Sequence, residues 1–183
     1  MGTVILQALF FFLPAYVSNA MPVLLAKFNL FEWLAVPVDF GLKINGQFFF
    51  GKTKTWRGII GGIAGAMAVI VIQTLIYDYS GNASGLFMFS YRMPEVLILA
   101  FYLGFGEGLG DLIKSFIKRR LHIESSAPFF PFDQMSFLGA LLLSTLYYVL
   151  PAGQIISILI ISPLLPVVAN ILAYKIGWKK VWW

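Results

Sequence analysis

The sequence predicts an all-α polytopic membrane protein with five transmembrane helices. Its cytoplasmic loops form a polar site, with the N-terminus outside and the C-terminus cytoplasmic. Three observations carry that prediction. The 183 residues are 60% hydrophobic and 11% charged, far from the composition of a soluble domain. Stretches 2–26, 58–77 and 134–174 carry no charge, and a helix needs roughly 20 apolar residues to cross the hydrocarbon core. Finally, all of the 13 Lys and Arg residues except Arg92 fall into three clusters beside those stretches. They are Lys27, Lys43, Lys52, Lys54 and Arg57; Lys114, Lys118, Arg119 and Arg120; and Lys175, Lys179 and Lys180. Basic loops gathered on one side are the signature of a cytoplasmic face.

The first span is expected at 3–26. Pro14 and Pro22 should bend or break it, and they bracket the polar pair Ser18-Asn19. Residues Gly2 to Ala26 lack the positive n-region of a signal peptide, so this segment reads as a retained span. A second span covers 58–77, where the Gly61 to Gly65 step suits close helix packing. The third is expected at 94–113 and begins at Pro94. Its uncharged part, 96–106, is too short alone, so the helix should run past Glu107 towards Arg120. Pro151-Ala152-Gly153 then divides the remaining apolar stretch into spans at 134–150 and 154–174. The whole chain, 1–183, forms one integral membrane domain. Trp178, Trp182 and Trp183 beside Lys179 and Lys180 suit an interfacial anchor.

Composition also excludes chemistry. There is no Cys, so thiolate nucleophiles, disulfides and Cys-based zinc sites are out. The net charge of +5 sits in membrane loops and pairs with anionic lipid rather than nucleic acid. His122 is the sole His and reads as a loop residue.

Ionisable groups at a membrane boundary are costly unless paired, solvated or liganded, which makes them functional candidates. Asp39, Glu107, Asp111 and Asp133 are such groups. On a helix, Glu107, Asp111, Lys114, Ser115 and Lys118 recur at three- and four-residue steps and share a face. That face is either a solvated ion-pair stripe or a binding surface. Gly104, Gly106, Gly108 and Gly110 are expected to leave the backbone open beside the acids for a large ligand. Asp111 and Asp133 would both point into the cytoplasmic mouth, and oxygen-only ligands of this kind suit Mg²⁺.

The loop from Gly51 to Gly58 packs Lys52, Lys54 and Arg57 with Thr53 and Thr55 at the start of a span, where helix N-termini favour phosphate. Gly46 to Thr53 satisfies the spacing of a phosphate-binding P-loop. The context fails, because Phe48, Phe49 and Phe50 occupy the would-be cradle and no parallel sheet accompanies it.

Gly110-Asp111-Leu112, Ser115, Lys118-Arg119, Ser125-Ser126, Pro131 and Asp133, in that order, resemble the C-terminal signature of the membrane CTP:phosphatidate cytidylyltransferases. Over nearly its whole length the chain more closely resembles their small archaeal branch, the CDP-archaeol synthases. That likeness adds Pro14 to Asn19, Pro37 to Gly41, and Lys54-Thr55-Trp56-Arg57-Gly58. The broader family's Lys-Asp pair and His-Gly-Gly run are absent, and Gln134 follows Asp133 where Arg is usual. These departures fit the archaeal branch.

The resemblance implies a cell-membrane cytidylyltransferase whose partners are CTP, a diether lipid phosphate and the surrounding membrane lipids. It would transfer CMP to 2,3-bis-O-geranylgeranyl-sn-glycerol 1-phosphate and release pyrophosphate. In that scheme Asp111 and Asp133 hold Mg²⁺, with Lys118 beside them. Lys54, Arg57, Lys114 and Lys118 grip the phosphates. Asn19, Thr55 and Ser115 contact sugar, base or phosphate, and Gly58 and Arg119 complete the nucleotide site. Asp39 stays open between metal, ribose and a partner for Arg57. A transporter would need polar residues along a route through the bilayer, whereas the second, fourth and fifth spans are apolar. A lipid-binding scaffold would not need three acids. A lipid kinase is the nearest mechanistic alternative. Oligomeric state is left open by the sequence.

Overall fold

A computed structural model describes residues 2–80, 85–124 and 127–177. The protein is mostly helical, with α1 (Gly2–Lys27), α2 (Trp56–Ser80), α3 (Val96–Arg120), α4 (Phe137–Ser144), α5 (Ala152–Ile161) and α6 (Leu164–Lys175). A two-stranded hairpin, β1 (Lys43–Ile44) and β2 (Gln47–Phe48), and 3-10 turns at Glu32–Leu34 and Phe132–Gln134 complete it. Among the described residues, four stretches are long and apolar enough to cross a membrane: α1, α2, α3 and the combined run Ala152–Lys175.

Packing contacts give the direction of each element. Pro22 meets Gly58 and Ser18 meets Gly62, so α1 and α2 are antiparallel. Gly104 lies against Ile63 and Gly108 against Ile59, which makes α3 antiparallel to α2. Gly110 abuts Ser136 and Gly106 abuts Gly139, so α4 returns antiparallel to α3. Gln154 bonds Gln7, and Ser162 bonds Tyr16, so α5 runs parallel to α1. The basic loops therefore gather at one end of the bundle.

Two expectations need correction. Of the bend or break expected at the prolines of the first helix, the break does not occur, since α1 is one helix through both Pro14 and Pro22. Proline at 14 removes the N–H that would bond the Phe10 carbonyl. Gln73 of α2 supplies the missing donor, its amide reaching that carbonyl at 2.6 Å. Neighbouring helices commonly satisfy such freed groups.

The second correction concerns the expected helix at 134–150. Here only eight residues, Phe137–Ser144, are α-helical, a rise of about 12 Å at 1.5 Å per residue. The hydroxyls of Ser144 and Thr145 turn back to the carbonyls of Leu141 and Leu142, at 2.9 and 2.6 Å, and such bonds compete with helix continuation. The path still runs the length of the bundle. Ser136 lies beside Gly110, while the Tyr148 ring packs 4.7 Å from Phe89 at the far end. The remaining run bends at Ser162-Pro163, giving α5 and α6. The Trp178, Trp182 and Trp183 anchor falls outside the described residues, as do Ser125 and Ser126.

The core lies in the half of the bundle away from the basic loops. Phe11, Phe12, Tyr91, Leu99, Leu103 and Ile158 are fully enclosed there. That packing leaves the other end free to be polar.

Candidate active site

The site is built where α1 ends, α2 begins and α3 leaves the core. A cleft of about 490 Å³, open mouth included, is lined by Ser18, Asn19 and Pro22 of α1 and by Thr53, Lys54 and Thr55. Gly58 and Ile59 of α2 and Gly104, Glu107, Gly108, Asp111 and Leu112 of α3 form the remaining walls.

Residues 36–56 fold locally to deliver Lys54 and Thr55. Val38 N–H donates to the Lys54 carbonyl at 2.8 Å, and Trp56 N–H to that of Val36 at 3.0 Å. Asn45 and Gly46 both have positive φ, the conformation a tight two-residue hairpin needs. The P-loop look-alike is thus a β-hairpin, with Arg120 donating to the Phe48 carbonyl at 2.8 Å.

Asp39 holds this loop shut. Its carboxylate accepts the N–H groups of Gly41 at 2.9 Å, Phe50 at 2.8 Å and Gly51 at 3.4 Å. The expected pairing with Arg57 is corrected, because Arg57 bonds the Leu30 carbonyl instead. Its oxygens are occupied by the loop's own amides.

At the cleft, the Lys54 ammonium donates to Asp111 Oδ2 at 2.5 Å, and Lys114 pairs with Asp111 Oδ1 at 2.9 Å. Asp111 thus holds two ammoniums at the cleft, groups able to meet an anionic ligand. Lys114 also donates to the backbone carbonyl of Asp133 at 3.2 Å. One ammonium therefore ties Asp111 to the loop carrying Asp133. The Asp133 carboxylate accepts Phe129 N–H at 2.7 Å and Lys118 at 3.2 Å.

Not every expected residue comes to the cleft. Lys118 is 5% exposed and also donates to the Ala127 carbonyl at 2.6 Å. It clamps the 127–133 loop rather than lining the cleft, and Ser115 is buried on α3 away from the cleft wall. Arg119 packs near Gly51. Arg57 is the clearest correction, because it lies outside the cleft and donates to the Leu30 carbonyl at 3.4 Å. Thr55 receives Gly58 N–H at 3.3 Å and opens α2, while Asn19 is exposed on the cleft rim.

The expected openness beside the acids is corrected at Gly106 and Gly110, whereas Gly104 and Gly108 do line the cleft. A methyl on Gly106 would come 2.6 Å from the Gly139 carbonyl oxygen, and one on Gly110 would overlap the Ser136 carbonyl. Both admit α4 rather than a ligand. This contact brings in a residue that sequence reasoning missed. Ser136 donates to Glu107 Oε1 at 2.5 Å, and Glu107 is 3% exposed. A hydroxyl at the head of a charge-free run, three residues after Asp133, was the available signal.

The donor set fits Mg²⁺. Asp111 and Asp133 offer hard oxygen ligands, and among the described residues no three of His, Cys, Asp and Glu gather into a cage. Magnesium characteristically takes one or two carboxylates and fills its shell with water and substrate phosphates.

The family model for CarS-like CDP-archaeol synthase matches residues 1–183. A CDP-archaeol synthase of Pyrococcus furiosus is 38% identical, with 98% of each chain covered. One from Pyrococcus horikoshii is 40% identical, covering 98% of this chain and 97% of the relative. One from Methanococcus maripaludis is 38% identical over 97% and 96% respectively. A solved structure described as an intramembrane enzyme for archaeal membrane lipids biosynthesis superposes with a TM-score of 0.70 at 31% identity. It covers 91% of this chain and 94% of that one.

Proposed function

We propose that this chain, which belongs to the CDP-archaeol synthase family, performs its CTP-dependent reaction in the cleft between α1, α2 and α3. The lipid phosphate oxygen attacks the α-phosphorus of CTP in line. A new P–O bond forms there, the bond to the bridging oxygen breaks, and pyrophosphate leaves with that oxygen. The product is the CDP-activated diether lipid.

Such a displacement needs no protein nucleophile, because positioning and charge neutralisation supply most of the catalysis. Lys54 and Lys114 neutralise phosphate charge, and Asp111 fixes both ammoniums. Lys118 and the Phe129 amide hold Asp133 in place. Asp111 and Asp133 would hold Mg²⁺, which when bound supplies charge neutralisation and polarisation of the phosphates. Asn19 and Thr55 stand on the cleft wall to meet sugar, base or phosphate.

The chain is a multi-pass membrane protein, and the basic loops beside the cleft support a cytoplasmic orientation for it. Five alternating segments then leave the N-terminus outside. The isoprenoid chains stay in the bilayer while the headgroup reaches the cleft.

The observation that carries this reading is the Lys54–Asp111–Lys114 cluster at the mouth of a full-length family match. CTP labelled at its α- or γ-phosphate, supplied with Mg²⁺ and the diether phosphate, tests it. The α-label should enter the lipid and the γ-label should leave as pyrophosphate. Transfer of the γ-label to lipid would make the protein a kinase.

A further inference from the structure

We propose that the groove between the end of α1, the Glu32–Leu34 turn and the start of α2 binds one phosphodiester membrane lipid, with its head on Arg57. The groove is about 580 Å³, open mouth included. Leu25, Phe31, Leu34 and Ile60 wall it, Gly61 and Ala64 open its floor, and Trp33 stands 75% exposed at its rim. Arg57 is the one charged residue on its surface.

Two features select the occupant. The walls are otherwise apolar, which suits a hydrocarbon chain and offers nothing to a free soluble anion. The cation is nearly free. Among the described residues it has no acidic partner, and its one hydrogen bond is the 3.4 Å contact with Leu30. A guanidinium carries five N–H donors and binds phosphate bidentately. An uncharged lipid would leave that capacity unused. Trp33 and Arg57 together form the aromatic and cationic pair typical of the interfacial zone.

The groove is separate from the cleft. Gly58 packs on Pro22 and Gly61 on Leu25, and this α1–α2 seam lies between them. Binding here is therefore independent of whether the cleft turns over CTP.

Native mass spectrometry of the full chain in detergent tests the proposal, with two diphytanyl diethers titrated separately. One carries a phosphoglycerol head and the other a free hydroxyl. A saturable one-to-one adduct is expected with the first and not with the second. Arg57→Gln, which removes the charge, and Ala64→Leu, which fills the floor and keeps Arg57, should each weaken that adduct about 10- to 100-fold, the scale of a lost charge-assisted contact. Lys54→Ala, at the cleft, should leave it intact. Equal binding of both lipids, survival of the adduct in both groove variants, or its loss in Lys54→Ala would overturn the site. Label transfer from CTP, measured separately, reports on the cleft alone.

Discussion

Gly106→Ala isolates the contact that holds the two acidic elements together. The new methyl would lie 2.6 Å from the Gly139 oxygen, 2.7 Å from Ala140 Cα and 2.8 Å from Ala140 N. Ordinary contact begins near 3.4 Å, so α3 and α4 must separate by roughly 0.8 Å, a strain that overpacked cores resist. All three neighbours are backbone atoms, so no side chain can swing aside. The destabilisation should be about 1–3 kcal/mol, a fall of several degrees in Tm. The same movement stretches the Lys114 contact with the Asp133 carbonyl from 3.2 Å to about 4 Å, beyond hydrogen-bond reach. Misplacing catalytic groups by about 1 Å costs on the order of 100-fold, so kcat/KM for CDP-lipid formation should drop by 10- to 100-fold. Gly108→Ala provides the comparison for stability, since its methyl would meet Ile59 at an ordinary 3.8 Å. Thermal melts in detergent and a labelled-CTP assay read both. A Gly106→Ala protein with unchanged Tm and turnover would refute the reasoning, and so would equal destabilisation by Gly108→Ala.

Asp111→Asn and Asp133→Asn should each abolish CDP-lipid formation while the protein still folds; near-normal turnover in both would remove their assigned role. Chelation of divalent ions should stop the reaction, with recovery on adding Mg²⁺, and turnover in the presence of excess chelator would exclude the ion. Asp39→Ala frees three backbone amides. It should weaken CTP binding through disorder at Lys54, seen as faster hydrogen exchange over 36–56; exchange unchanged from wild type would contradict that role. Residue-specific labelling of vesicles should place Lys54 and Asp111 on the same face, and opposite faces would rule out the cleft.

Much of the architecture was legible because membrane crossing imposes length and charge rules that single residues express. The α3 pattern foretold a helix through Arg120, and its three-residue step from Asp111 to Lys114 is a real ion pair. What sequence could not carry was rotation and tertiary capture. Arg57 and Gly58 are adjacent in the Lys54-to-Gly58 motif. Yet α2 has begun by Trp56, and successive helical residues point about 100° apart. Gly58 therefore faces Pro22 and the cleft while Arg57 faces the groove. Asp39 was ambiguous because its partners are backbone amides, which every residue but proline supplies and no motif marks. The glycines at 106 and 110 looked open because the sequence does not say what fills the space.

The glycine spacing explains how charged groups are tolerated inside an apolar bundle. Gly106 and Gly110 are four apart and present one face of α3 to α4. Glu107 and Asp111, each one residue further, are also four apart and face the cleft. Removing side chains from the first line lets α4 close against the backbone, which brings Ser136 to Glu107 and Asp133 to Lys114. An unpaired carboxylate at this depth would be expensive. Asp111 is tolerated only because Lys54 arrives from the 36–56 loop and Lys114 from its own helix. The loop is therefore as much a condition of the site as the acids are. A loop held by the three amide bonds of Asp39 supplies the cation that pairs with Asp111.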